Sequence, residues 1–183
     1  LEYPIGKLLY ESPGWISHIR FSPQGDSIAF MDHPALWDTR GMVSMVDMAG
    51  HVRKLTHEWD CESGLAWAPD GNEVWFSAVN NGNNLNLMAV NRSGKLRSVL
   101  DLPMAIYLQD IAPDGRVLFS LNSKRLDMAY STLQQNQDSD LSYHDENSVR
   151  AISGDGRFVV FEDSSEAAGP GYAVLARNVD GSL

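Results

Sequence analysis

The stretch Trp67-Ala68-Pro69-Asp70-Gly71, followed by Glu73-Val74-Trp75-Phe76, decides the fold. Proline sets φ at about −65° in the second position of a tight turn, and glycine closes the turn because it reaches positive φ without a Cβ clash. The residues on both sides of the turn are apolar, aromatic or β-branched, as strands prefer. The stretch therefore predicts a β-hairpin whose two strands are joined by residues 68–71.

The same turn recurs three more times along the chain. The other copies are Ser22-Pro23-Gln24-Gly25, Ala112-Pro113-Asp114-Gly115 and the variant Ser153-Gly154-Asp155-Gly156. The closing glycines, Gly25, Gly71, Gly115 and Gly156, are 46, 44 and 41 residues apart. A period of about 40–50 residues with strands around the turn indicates the blades of a β-propeller. Because Gly154 replaces proline, we expect the fourth hairpin to be the least firmly held.

Most repeats continue into a second hairpin. Residues 43–47 lead through a turn into 51–55, and residues 85–90 lead through another into 96–100. The predicted fold class is therefore all-β, a β-propeller of four-stranded antiparallel blades. The third repeat is the least regular, because its second connection, residues 134–140, is long and polar.

One propeller segment is predicted to fill residues 1–183. Its parts are an outer strand of a preceding or closing blade at 1–12, blades at 13–56, 57–102 and 103–143, and an incomplete blade at 144–183. The strand at 5–11 could close its own four-bladed ring, exchange with a second copy to give a homodimer of two half-rings, or belong to a longer ring of which this chain is a piece. The longer ring is favoured as the natural context. For the isolated chain exchange is favoured, because Arg20 and Asp110 on inner strands would crowd a ring of four blades.

Composition limits the choice of partners. The 183 residues carry a formal net charge of −10, which argues against nucleic acid or an anionic membrane as a partner. The sequence has neither an apolar stretch long enough to span a membrane nor a recognisable signal peptide. The single cysteine, Cys61, cannot form an internal disulfide and is interpreted as a partly buried loop thiol. The compartment stays open, either periplasmic or cytoplasmic.

The pattern of an aromatic residue, Ser or Ala, Pro, Asp and Gly before an apolar strand resembles the TolB-like propeller repeat, a relative of the WD-type repeat. Residues 21–25, 67–71 and 111–115 carry it, and residues 152–156 carry it more weakly. Residues 5–11, Gly14-Trp15-Ile16-Ser17-His18 and Gly64-Leu65-Ala66-Trp67 are similar to the propellers that follow the kinase domain in bacterial receptor-like serine/threonine kinases. The repeat also precedes the catalytic domain of prolyl-oligopeptidase-type peptidases. In these families the propeller binds, gates or scaffolds, so the resemblance implies a non-catalytic module.

The residues themselves suggest no catalytic or metal site. The sequence has no Gly-x-Ser-x-Gly elbow, no kinase catalytic loop and no phosphate-binding glycine loop. Its five histidines lack metal-ligand spacing, although a zinc site shared by His18 and His144 is an alternative to ordinary loop histidines. We therefore predict no enzyme activity, no cofactor and no metal.

The candidate site is a rim of loops. In a propeller, the connections between blades and between second and third strands gather at one end of the channel, and the Pro-Asp-Gly turns lie at the other. Aromatic and charged side chains on loops held by a rigid scaffold form recognition surfaces. The ligand-binding candidates on this rim are Trp15, His18, His33, Trp37, Arg40, Trp59, Glu62, Tyr107, Arg125, His144 and Glu146, with Asn80 and Asn83 beside them. Trp15 and Trp59 could instead cap blade interfaces, and Trp67 and Trp75 are predicted core residues.

These observations predict a binding or protein-interaction module, the sensor or scaffold part of a larger bacterial protein. Its rim would recognise a peptide, a protein or a small ligand. The alternative is the substrate-gating propeller of a prolyl-oligopeptidase-type serine peptidase. The reading frame around the segment separates the two, since the first expects a kinase domain upstream and the second a hydrolase domain downstream.

Overall fold

The computed structural model of the chain describes residues 1–79, 83–132, 138–169, 171–180 and 182. The described chain consists of strands, loops and one short 3-10 helix, Glu166–Ala168. None of its helical residues forms a helix long and apolar enough to cross a membrane. The chain divides into two compact units, residues 1–80 with 84–122 and residues 81–83 with 123–183.

The first unit contains three antiparallel sheets. The first sheet runs in chain order through β1 (Trp15–Phe21), β2 (Ser27–His33), β3 (Met42–Asp47) and β4 (Val52–Lys54). The second runs through β5 (Glu62–Trp67), β6 (Glu73–Val79), β7 (Leu85–Asn91) and β8 (Leu96–Leu100). The third pairs β9 (Ala105–Ile111) with β10 (Val117–Asn122). The predicted four-stranded antiparallel blade is thus confirmed for the first two repeats.

The second unit contains shorter sheets. One pairs β11 (Ala129–Tyr130) with β12 (Ser139–Asp140), and the other runs through β13 (Asn147–Ile152), β14 (Phe158–Asp163) and β15 (Ala173–Asn178). The third repeat therefore has two separate strand pairs where a four-stranded sheet was expected, and most of its long connection, residues 133–137, lies outside the described residues. The core of this unit is built by Met128, Leu141, Val159 and Phe161.

The four-residue turn closes the first hairpin of every repeat. The N–H of Gly71 donates to the carbonyl of Ala68 at 2.8 Å, and Gly71 has a φ of 71°, which favours glycine. The other three turns close by the same hydrogen bond, including the variant at Ser153, where Gly154 stands in the place of proline. All four predicted hairpins are present.

The first strand of every repeat also carries a β-bulge. Its register shifts between Ser17 and Arg20 in β1, between Ser63 and Leu65 in β5, beside Gln109 in β9, and between Val149 and Ala151 in β13. A bulge bends the strand and re-aims the side chains at its end. The bulges of β1 and β5 contain residues in the left-handed region, His18 with a φ of 50° and Gly64 with a φ of 63°.

The first strands of the three sheets in the first unit are neighbours. Strand β5 contacts both β1 and β9. The indole Nε1–H of Trp67 donates to the carbonyl of Arg20 at 3.1 Å, and the N–H of Leu108 donates to the Ser77 hydroxyl at 2.9 Å. Buried apolar side chains, among them Met31 and Phe76, fill the space between the first two sheets. Successive first strands lie side by side in this way when they line the channel of a propeller.

Residues 5–11 do not form the strand that the sequence predicted. Residues 1–10 form a loop in which the N–H of Tyr3 donates to the carbonyl of Lys7 at 2.9 Å. Pro4 has no N–H to give to a strand ladder, and Gly6 has a φ of 90°, so the chain turns back at this point. Leu9 is buried against the first sheet, whereas Ile5 at the tip of the loop is 98% exposed.

Candidate functional site

Seven of the eleven rim candidates lie in the first unit around the start of β1, the loop between β2 and β3, and the start of β5. They are Trp15, His18, His33, Trp37, Arg40, Trp59 and Glu62. We use the name rim cluster for the five that contact one another directly or through Ser17, namely Trp15, His18, His33, Trp37 and Arg40, together with Ser17 itself. The rim expected from the sequence also includes Ser17, although Ser17 is not one of the eleven ligand-binding candidates.

Two tryptophans form the outer face of the rim cluster. The ring of Trp15 stacks on that of His33, with centroids 4.2 Å apart and an interplanar angle of 15°. Trp37 lies 5.8 Å from Trp15 at 45°, and its side chain is 79% exposed. Trp37 also has a φ of 64°, a left-handed conformation that costs a residue with a Cβ about 1–2 kcal/mol. Strained, exposed aromatic residues of this kind concentrate at binding sites.

A hydrogen-bonded chain holds His33 beneath Trp15. His33 Nδ1 lies 2.9 Å from the carbonyl oxygen of Arg40, and its Nε2 lies 2.7 Å from Ser17 Oγ. Because a carbonyl only accepts, Nδ1 carries the proton and Nε2 accepts the hydrogen bond from the Ser17 hydroxyl. Ser17 Oγ is also 2.9 Å from His18 Nδ1, so the chain locks the bulge of β1 against β2.

The order hydroxyl, imidazole, carbonyl is the one in which a base activates a nucleophile. Here His33 is only 3% exposed and its ring is covered by Trp15. Burial, followed by the nearby charge of Arg20, lowers the pKa of His18, so His18 is neutral at pH 7. The hydrogen-bonded chain fixes His33 and, through the stacked rings, the position of Trp15.

Glu62 lies under the cluster as a buried carboxyl group. It is 5% exposed, and neither of its oxygens has a hydrogen-bond partner among the described residues. Burial, followed by the charge of Asp32, raises its pKa to about 8, so Glu62 is protonated at neutral pH. Gly41 makes room for it, because a Cβ at Gly41 would overlap Glu62 Oε1 and lie 3.0 Å from His33 Nδ1.

The surface beside the two tryptophans is acidic. Arg40 forms a forked ion pair with Asp38, at 2.6 Å for the shortest contact, and lies 3.8 Å from Glu58. Asp38, then Glu58 and Asp60, raise the pKa of Arg40. One guanidinium therefore lies among three carboxylates, which leaves this part of the surface with a net negative charge.

Trp59 and Glu62 are not surface residues, contrary to their place in the predicted rim. Trp59 is 5% exposed and packs on His57 and Phe76, with ring centroids 4.2 and 5.9 Å away. The Gly41–Trp59 bridge draws the loop into the core, which the sequence pattern does not reveal. These two residues support the rim cluster from below and do not form its outer face.

The other four rim candidates lie apart from the rim cluster in chain position and contacts. Tyr107 lies in β9 with its side chain half-buried. In the second unit, Arg125 pairs with Asp127 at 2.8 Å, Glu146 pairs with Lys124 at 3.2 Å, and His144 pairs with the buried Asp163. Asn80 lies outside the described residues. Nowhere in the described ranges do three His, Cys, Asp or Glu side chains gather closely enough to hold a metal ion.

The chain matches no known protein-family model and no curated protein sequence. It does resemble solved structures. TolB from Acinetobacter baumannii is 16% identical with a TM-score of 0.50, and the match covers 97% of this chain and 44% of that one. A puromycin-hydrolyzing peptidase from Mycobacterium tuberculosis is 15% identical with a TM-score of 0.52, covering 94% and 28%. A structure from a study of two prolyl endopeptidases is 12% identical with a TM-score of 0.51, covering 97% and 30%.

This chain therefore spans less than half the length of each of these proteins. At such low identity the likeness concerns the fold alone. Together with the four-stranded antiparallel sheets, it identifies the fold as a TolB-like β-propeller.

Proposed function

We propose that this chain is a non-catalytic binding module that recognises its ligand through Trp37 and Trp15 on the rim cluster. The observation that carries the proposal is the conformation of Trp37, which is 79% exposed and left-handed. Neither the exposure nor the strain of Trp37 stabilises the free chain. A partner that covers the Trp37 ring would bury a large aromatic surface and gain binding free energy.

The His33 ring beneath Trp15 makes the surface formed by Trp15 and Trp37 suitable for recognition. Trp15 is fixed on one side by His33, and the His33 ring is fixed at both nitrogens. Binding therefore costs little side-chain ordering at Trp15. The carboxylates of Asp38 and Glu58 favour a peptide, protein or small ligand that presents a polar or cationic group next to its apolar part.

The module would serve as the sensor or scaffold part of a larger bacterial protein. Its length relative to TolB and to the peptidases supports a place within a longer chain. The similarity of residues 5–11, 14–18 and 64–67 to kinase-attached propellers is what supports attachment to a receptor-like kinase. The alternative is a substrate-gating propeller, which the likeness to peptidases supports to the same degree. A kinase domain upstream in the reading frame favours the first, and a hydrolase domain downstream favours the second.

A random peptide array probed with the labelled chain tests the proposal. We expect a defined set of bound peptides whose signal Trp37→Ala abolishes. Tyr172→Ala is the matched control, because Tyr172 is an aromatic residue 77% exposed in the second unit. The same signal from wild type and Trp37→Ala would overturn the proposed role of the rim cluster.

A further inference from the structure

A cleft lies in the first unit at the end remote from the rim cluster. Strand β1 begins at Trp15 in the rim cluster and ends at Phe21 beside the proline turn, so the turns mark the other end of the sheets. The cleft has a volume of about 240 Å³ and lies where β1, β5 and β9 end. Its main lining residues are Arg20, Phe21, Trp67, Asp110 and Ile111, with the turn prolines at its edge.

The cleft is built from the same positions of successive repeats. Arg20 and Asp110 each stand three residues before the turn proline, and Phe21, Trp67 and Ile111 each stand two residues before it. The repeat thus brings two residues of opposite charge and three apolar residues to one cavity. The residue at this charged position differs between the two repeats, although the proline and glycine of the turn beside it do not.

Neither charged group of the cleft has a partner of opposite charge within the described part of the chain. Among the described residues, the guanidinium of Arg20 donates to the carbonyl of the adjacent Ile19, at 3.1 Å, and to no other group. The carboxylate of Asp110 accepts only the N–H of Ile111, at 2.9 Å. Ten ion pairs occur among the described residues, and these two side chains belong to none of them.

The apolar wall of the cleft is held in place before any ligand arrives. The indole N–H of Trp67 is bound to the carbonyl of Arg20, and the guanidinium of Arg92 lies 5.0 Å from the Trp67 ring centroid. Arg92 is itself tied to Asp26 at 3.0 Å. Phe21 remains 47% exposed, so it offers apolar surface to a ligand. A rigid apolar wall with a few converging polar groups is typical of small-molecule sites.

We propose that this cleft binds a small zwitterion with an aliphatic body, such as an ω-amino acid or a short peptide with free ends. The carboxylate of the ligand pairs with Arg20, whose planar fork suits carboxylates, and its ammonium group pairs with Asp110. Its aliphatic part lies against Phe21 and Trp67. The volume of the cleft is below the roughly 300–1,000 Å³ of drug-sized pockets, so the ligand is smaller than a typical drug molecule. This site is independent of the rim cluster.

An NMR titration of the chain with 6-aminohexanoate at pH 7 tests the proposal, with the indole N–H of Trp67 as the reporter. We expect a saturable shift of this signal. Hexanoate and hexylamine are the matched probes with a single charge, and each is expected to bind at least about tenfold more weakly. Glycine, 4-aminobutyrate and 8-aminooctanoate define the span between the two charged groups. Gly-Gly and Gly-Gly-Gly show whether a peptide backbone is preferred to an aliphatic chain.

Single substitutions assign the two charged contacts. Arg20→Gln and Asp110→Asn should each reduce the affinity for 6-aminohexanoate by at least about tenfold, to the level of the singly charged probes. The exchange of both, Arg20→Asp with Asp110→Arg, should restore part of the affinity. Lys95→Gln and Asp101→Asn remove exposed charges elsewhere in the first unit and should leave binding unchanged. The proposal is overturned if no zwitterion gives a saturable shift, if hexanoate binds as tightly as 6-aminohexanoate, or if neither single variant weakens binding.

Discussion

Gly64 of β5 lies against the backbone of Leu108 in β9. A Cβ on Gly64 would overlap the carbonyl oxygen of Leu108 and lie 2.9 Å from its carbonyl carbon. Gly64 also has a φ of 63°. The bulge at this position thus brings two neighbouring sheets as close as their backbones allow.

Gly64→Ala should therefore lower the free energy of unfolding by about 2–5 kcal/mol, since left-handed strain and backbone overlap add together. Gly115→Ala is the control, because Gly115 has a φ of 87° and open space around it. It should cost only about 1–2 kcal/mol. Urea denaturation of both variants gives the comparison, and equal losses would mean that the approach of β5 to β9 is not tight.

Trp67→Ala should lower the free energy of unfolding by about 3–5 kcal/mol, since the side chain is only 6% exposed and packs among the core residues between the first two sheets. Trp67→Phe should cost less, because it keeps most of the packing and loses the hydrogen bond to Arg20. Denaturant midpoints of the two variants test this ranking. A loss below about 1 kcal/mol for the alanine variant would contradict the buried position.

The buried carboxyl of Glu62 predicts a pH-dependent stability. The folded chain holds this proton up to a pH of about 8, whereas the unfolded chain releases it near 4.5. Between these values the folded state binds one proton more than the unfolded state, so Glu62 makes the free energy of unfolding fall as pH rises. The loss is complete above a pH of about 8 and amounts to roughly 4–5 kcal/mol.

Glu62→Gln removes this titration. Its stability relative to wild type should grow from a pH of about 4.5 to about 8 and stay level outside that range. Denaturant unfolding at a series of pH values measures the difference, and other titrating groups such as His18 cancel between the two proteins. Glu58→Gln is the exposed control and should follow wild type. A constant difference at every pH would place the pKa of Glu62 at its ordinary value.

Trp37→Gly should not lower the free energy of unfolding, and should raise it by up to about 1 kcal/mol. Glycine adopts the left-handed φ without strain, although it gains more freedom in the unfolded chain. The side chain removed is largely exposed, so little burial is lost. Thermal unfolding of the variant checks the expectation. A clear loss of stability would show that Trp37 serves the fold and would weaken its proposed role in binding.

The isolated chain should hydrolyse no peptide, ester or phosphate substrate. Ser17 and His33 are the pair that could contradict this, because their hydrogen bond of 2.7 Å has the geometry of a nucleophile and a base. Assays with nitrophenyl esters and nitroanilide peptides, with and without a chelator, give the measurement. Turnover that Ser17→Ala abolishes would establish an enzyme at the rim cluster.

The turns and the first strands could be predicted from sequence because their signals are local. Pro69 and Gly71 fix a hairpin through their own backbone preferences, and the apolar flanks name the strands. Reliance on local signals also explains the wrong prediction of a strand at residues 5–11. The apolar residues of this segment fit a strand, but the chain turns back at Pro4, just before the segment, and at Gly6 within it.

The rim cluster was predictable in part. Trp37 and Arg40 lie in a connection between strands, where exposed side chains are expected. The burial of Trp59 and Glu62 depends on the bridge between Gly41 and Trp59. Such a bridge joins residues distant in sequence and leaves no periodic pattern. The contact of Ser17 with His33 depends in the same way on the bulge of β1, which only strand pairing defines.

The cleft beside the proline turns has a consequence for how such a protein could diversify. Arg20 and Asp110, three positions before their turn prolines, contribute no part of the turn, so each can change without disturbing its hairpin. Substituting Arg20 or Asp110 would change the charge of the cleft one repeat at a time. Duplication of a repeat would add another such position. A chain of this design can acquire new ligand preferences through single codons while its architecture is inherited intact.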